Sequence, residues 1–168
     1  MKRLLAFVPL VIAGTVLAAE TGDRYTEAAG GFSYCPPKGW TMKELPGMKY
    51  QAAFGPTSGG FTPNINVVDE AFGGSLEDYF KGNVDALTKV FKKFKNLGKS
   101  DFKTDSGLKC IRLVTESEQQ GMLLRQTFFF FDGKANRKLV VTCSAPAEGG
   151  DKLDAAFGAS LKTFSVPK

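Results

Sequence analysis

The sequence predicts an α+β domain: an antiparallel β-sheet sandwiched between amphipathic helices, an α/β/α arrangement. Three observations carry this. The run Thr127–Phe128–Phe129–Phe130–Phe131–Asp132–Gly133 places four phenylalanines in one strand. Side chains of a strand alternate between two faces, so Phe128 and Phe130 look one way and Phe129 and Phe131 the other. Both faces must therefore be dry. Two segments, Leu76–Phe94 and Asp151–Phe164, have apolar residues at three- and four-residue steps, which supplies one amphipathic helix for each face. Around the phenylalanines, Leu108–Ser117, Gly121–Gly133 and Arg137–Pro146 read as three strands. Their short, turn-rich connections make an antiparallel meander.

Taken in order, residues 1–18 read as a cleavable signal peptide: Lys2 and Arg3, an apolar run from Leu4 to Leu17, then small residues. The apolar run is shorter than the ~20 residues of a membrane span. Residues 19–30 read as a flexible lead-in, and 31–168 as a single domain. The segment "GFSYCPPKGW" gives a short strand stopped by Pro36 and Pro37, which have no amide hydrogen for a ladder. Met48–Pro56 is a second strand and Thr62–Phe72 a third, with Ile65 and Val67 alternating against Asn64 and Asn66. Ser75 is a good N-cap for the first helix, with Glu77 and Asp78 in its first turn. The apolar stripe runs through Leu76, Phe80, Val84, Leu87, Phe91 and Phe94, and Asn96 and Gly98 supply the stop. Arg125 and Gln126 point to opposite faces of their strand, so cover is expected to thin out there.

Charge and composition narrow the function. The chain holds 22 basic and 17 acidic residues; without Lys2 and Arg3 it is only mildly basic. Its one dense cluster, "KVFKKFK", suits the C-terminal end of a helix, and no nucleic-acid partner is expected. There is no histidine, which removes Ser-His-Asp triads, Cys-His dyads and histidine metal sites. The neighbouring carboxylates Asp69–Glu70 and Glu77–Asp78 diverge and make no acid–base couple. "GPTSGG" lacks the ending of a phosphate loop. No catalytic, cofactor or metal residues are assigned, and the chain is expected not to be an enzyme. The three cysteines lie in an exported chain, where one disulfide and one free thiol are the default. Cys35 with Cys143 is the candidate pair; either with Cys110 stays open. A Cys35–Cys143 bridge would close a long loop worth about 4 kcal/mol.

The stretches "FSYCPPKGW", "INVVDEAFGGSLEDYF", "TDSGLKCIRL", "RQTFFFFDGKANRKLVVTC" and "DKLDAAFGASLKTF" resemble the PsbP-like superfamily, from Phe32 to Phe164. Phe32, Pro37, Gly39 and Trp40 match an F-x(4)-P-x-G-W-like opening. The superfamily includes the PsbP protein of photosystem II, the yeast Ran-binding Mog protein and DcrB-related exported bacterial domains. The resemblance implies an antiparallel sheet with helices on both sides and a non-catalytic role in binding or assembly. Metal sites of plant members use histidine and do not carry over. The extra cysteines depart from the usual pattern and imply a subgroup with a disulfide. The expected function is an exported accessory protein of the bacterial envelope, periplasmic or secreted, monomeric and without a stable membrane span. Its expected partner or ligand surface is formed by Trp40, Phe61, Asn64 and Asn66. The alternative is a carrier of a small apolar ligand or lipid, with a pocket beside Phe128–Phe131.

Overall fold

The four phenylalanines lie in a strand that is bonded on both edges and covered on both faces, in a computed structural model that describes residues 19–167. The expected signal peptide lies outside the described residues. Strands β1 (Tyr25–Glu27) and β2 (Phe32–Tyr34) form a small separate hairpin. They are followed by β3 (Thr41–Lys43), β4 (Ala52–Phe54), β5 (Asn64–Ala71) and helix α1 (Leu76–Val90). Then come β6 (Lys92–Lys103), β7 (Lys109–Gln119), β8 (Met122–Asp132), β9 (Arg137–Pro146), a 3₁₀ turn (Gly150–Leu153) and α2 (Asp154–Lys162). The large sheet has seven antiparallel strands in the order β3-β4-β5-β9-β8-β7-β6.

The parity of the phenylalanines holds. Phe129 and Phe131 enter a core with Phe157 and Leu161 of α2, Phe164, and Phe32 and Tyr34 of the hairpin. Phe128 and Phe130 enter a second core with Tyr79 and Phe80 of α1, Ile111, Leu113 and Val140. All four are at most 7 % exposed. Phe131 stacks on Phe164 at 4.5 Å between centroids, and Phe80 meets Phe130 edge-on at 5.3 Å. The β1–β2 hairpin shares the cover of the α2 face. The polar end of β8 is better covered than expected: Gln126 is buried, accepting from Gln119 and donating to Ser144 Oγ at 3.1 Å.

Helix α1 starts as expected, with Ser75 Oγ accepting from the Asp78 amide at 3.1 Å. It ends four residues early. Phe91 is extended, Lys93 takes a left-handed φ of 51°, and the chain enters β6. Shifts of register at Lys92/Lys95 and Asn96/Gly98 break the alternation of that strand, so its period-two signal is lost and Phe91 and Phe94 pass for a helical repeat. The lysines of "KVFKKFK" mostly line this edge strand. The lead-in also differs from expectation. It holds β1, the Gly22 amide donates to Pro36 O at 2.7 Å, and the Lys38 amide donates to Glu20 O at 3.0 Å. The second strand shrinks to Ala52–Phe54, and the three-residue β3 was not foreseen.

Cys35, Cys110 and Cys143 are all free thiols. The expected Cys35–Cys143 bridge is not formed because β2 presents Tyr34, not Cys35, to Cys143; that thiol is near enough to raise the Tyr34 phenol further, beyond the effect of burial. Cys35 is instead tied to α2 and the residue after it: its amide donates to Thr163 Oγ1 at 2.7 Å, and Ser160 Oγ donates to its carbonyl at 2.6 Å. Native alkylation is expected to modify Cys35 alone, since Cys110 and Cys143 are buried, and denaturation to expose all three. A native protein with fewer than three thiols after unfolding would restore the bridge.

One buried carboxylate joins β5 to its surroundings. The Asp69 side chain is 3 % exposed and is paired with Lys49 at 2.8 Å and with Arg137. Burial pushes Asp69 up, but hydrogen bonds from Lys49 and Arg137 more than offset this and hold it below the usual range. A carboxyl depressed in the folded state contributes stability above its unfolded pKa of about 3.9, and loses it as pH falls through the folded value. The urea midpoint is therefore expected to drop in that acid window. Asp69→Asn should start lower at neutral pH and drop less; a parallel acid curve would remove Asp69 from the cause. Phe129→Ala and Phe130→Ala should each cost about 3–5 kcal/mol by denaturant unfolding. Leu123→Ala, at a 43 % exposed position of the same strand, should cost far less.

Candidate functional site

Helix α1 is too short to roof its whole face of the sheet. It packs over Phe128 and Phe130 but leaves β3, β4 and part of β5 and β9 uncovered. At its margin a groove of about 350 Å³ opens between the helix and strands β5, β9 and β8. Phe128, Phe130, Val140 and Leu87 form its apolar wall, while Glu70, Tyr79, Asn83 and Thr142 bring polar atoms to it. Tyr79 Oη donates to Glu70 Oε2 at 3.0 Å, and Asn83 Nδ2 donates to the Tyr79 carbonyl at 2.9 Å. Burial, then the Glu70 carboxylate, push the Tyr79 phenol up to about 12, so it stays a neutral hydrogen-bonding group at any physiological pH.

The groove continues onto a row of amides and hydroxyls. Thr115, Gln126, Ser144 and Asn64 are directly opposite one another across β7, β8, β9 and β5. All share the face of Phe128 and Phe130, because Gln126 is two residues from Phe128. Asn66 lies one step along, opposite Thr142, and its Nδ2 donates to Asn64 Oδ1 at 3.3 Å. Asn64 and Asn66 are therefore brought together as expected, half-buried, beside the groove. Farther out, Phe54 and Lys43 continue the face over a second hollow of about 430 Å³ with Thr41, Leu45 and Thr62.

Trp40 is not part of this surface. Its ring meets Phe157 of α2 edge-on at 5.8 Å, on the opposite face. It lines a separate cleft of about 320 Å³ with Pro56, Pro146 and Leu153. Phe61 sits in the tight Ser58–Phe61 turn between these regions. The expected four-residue surface is thus split between two faces of the sheet. Tyr79, Asn83 and Glu70 were not foreseen. Tyr79 and Asn83 are spaced i, i+4 and so share a helix side, but only the fold shows that this side borders a groove.

Two of the three thiols, Cys110 and Cys143, are buried. Burial first, then the Asp101 charge, push the Cys110 thiol up to about 12, and burial raises Cys143 well above its ordinary value. A thiol of that kind is a poor nucleophile at neutral pH. Among the described residues no group of three His, Cys, Asp or Glu could hold a metal ion, and no helix is long and apolar enough to cross a membrane.

No family model matches the sequence, and no curated protein matches it closely. Solved structures do match. LpqN of Mycobacterium tuberculosis, described as involved in cell envelope biogenesis, is 14% identical, with a TM-score of 0.63 over 88% of this chain and 87% of that one. Cyanobacterial PsbP (CyanoP) of Synechocystis sp. PCC 6803 is 15% identical, with a TM-score of 0.59 over 95% and 100%. The Ran-binding protein Mog1p of Saccharomyces cerevisiae is 10% identical, with a TM-score of 0.54 over 88% and 96%. At these identities the likeness is one of fold. The strand order, the antiparallel sheet and the helix on each face, together with these neighbours, give this chain the PsbP-like fold.

Proposed function

We propose that this chain is an exported, non-catalytic binding or assembly accessory protein of the bacterial envelope, and that it holds a partner protein on the α1 face of its sheet. The observation that carries the reading is the groove beside α1, continuous with Asn64 and Asn66 and left open by the helix. Its apolar wall and uncharged hydrogen-bonding row suit a polypeptide segment, which offers side chains and backbone amides together. Export is supported by the pattern of residues 1–18 and by the likeness to an envelope protein and to PsbP. A protein partner is supported by the likeness to a Ran-binding protein. The absence of histidine and the raised thiols support a role without covalent chemistry.

A small apolar ligand is the second reading, favoured by Phe128, Phe130, Val140 and Leu87 in the groove wall. Against it, Phe80, Tyr79 and Phe130 pack on one another, and a lipid chain would displace water from the Glu70 carboxylate and the half-buried Asn64 and Asn66 amides without offering them a partner.

A photo-crosslinking residue at position 66, in cells carrying the full chain, is expected to trap a protein adduct. The same residue at position 152, an exposed site in the 3₁₀ turn beside the Trp40 cleft on the opposite face, should not. Val68→Glu, at an exposed residue of the groove rim, should reduce the adduct at least several-fold. Lipid alone attached at position 66 would favour the carrier. Equal adducts from both positions would remove the α1 face as the site.

A further inference from the structure

On the opposite face of the sheet, Arg112 of β7 is half-buried and, among the described residues, has no ion-pair or side-chain hydrogen-bond partner. It lines a pocket of about 280 Å³ together with Arg125, Asp154, Ser100 and Val114. Ser100 is directly opposite Arg112 in the β6–β7 ladder, so both side chains share this face. Arg125 reaches in from β8 and is engaged by Asp154 of α2 at 2.7 Å. The other acids near Arg125 are Glu116, its cross-strand neighbour, and Asp151. The carboxylates thus gather at the Arg125 end of the pocket, and Arg112 is the cation left without a counter-charge.

We propose that this pocket binds a small oxyanion, the carboxylate or phosphate group of a ligand, through the Arg112 guanidinium. A planar guanidinium presents paired donors that match two oxygens of either group. The Ser100 hydroxyl on the same face can add a third donor. A half-buried cation in a hollow, with low-dielectric walls of Val114 and sheet backbone, attracts such a group more strongly than a solvated lysine does. The volume holds the anionic group and a few further heavy atoms, so the ligand is a small molecule or a chain terminus. The site is independent of the α1-face groove, because the two lie on opposite sides of the sheet.

The test is a titration of the labelled mature chain with inorganic phosphate and, separately, acetate, following the arginine Nε–Hε NMR signals at constant ionic strength set with chloride. A saturable shift at Arg112 with either anion, and none with chloride, is expected; the tighter anion identifies the class of ligand. Arg112→Gln should weaken binding about tenfold or more and leave the urea midpoint unchanged, since the side chain has no partner to lose. Arg112→Lys should retain only part of the affinity. Asp154→Asn, which releases Arg125, should tighten it. Unsaturated shifts shared with surface lysines, or equal affinity in Arg112→Gln, would overturn the proposal.

Discussion

Everything in this molecule follows from the need to keep both sides of β8 dry. Four consecutive aromatic rings cannot sit on a sheet with one wet face, since two would remain in water at a cost of roughly 2–3 kcal/mol each. The sheet is therefore central and its helices are peripheral, one per face. That division also separates two environments. The α2 face, sealed by the β1–β2 hairpin and Phe164 as well as by the helix, holds the larger core. The α1 face is sealed by one helix alone, which leaves a groove open at its margin.

The division of labour between faces explains where polar groups occur. Asn64, Asn66, Thr142, Ser144 and Gln126 cluster where α1 no longer reaches; Asn66 donates to Asn64, and Gln126 donates to Ser144. Buried polar groups are tolerated when they are paired. The charged residues that do enter the structure are paired as well: Asp69 with Lys49 and Arg137, Arg125 with Asp154. Against that background an arginine without a partner stands out.

The architecture was legible in the sequence wherever a local rule acts alone. Phenylalanine parity needs only the two-residue period of a strand, and Ser75 as a cap needs only the next three residues. The chain became illegible where two rules overlap. In β6 the bulges interrupt the period, and Phe91, Phe94 and the lysines then imitate the end of a helix. β3 is three residues long, too short for any period to show, and β1 is hidden in a polar, glycine-ended stretch that is bonded to Pro36 and Lys38. For the candidate site, the shared face of Asn64 and Asn66 follows from alternation. The placement of Trp40 on the opposite side depends on loops and on Phe157, more than a hundred residues away, and no local signal encodes it. Arg112 could be recognised as unpaired only once its neighbours across the sheet were known.

The order of the strands also has a consequence in time. β6, β7, β8 and β9 are chain neighbours joined by tight turns, and each pairs with the next. β5 instead crosses over α1 and the whole meander to pair with β9. Closing that long loop carries an entropic cost that hairpins do not, so non-local pairing is the slow part of folding for such a topology. Until β5 arrives, the Leu139–Val141 edge of β9 is open, apolar and untwisted by any bulge, whereas the far edge, β6, carries five lysines and two irregularities that resist pairing with a stranger. A chain that has formed the meander but not yet docked β5 is thus open on that side, and the pairing of β5 with β9 is the step that closes it.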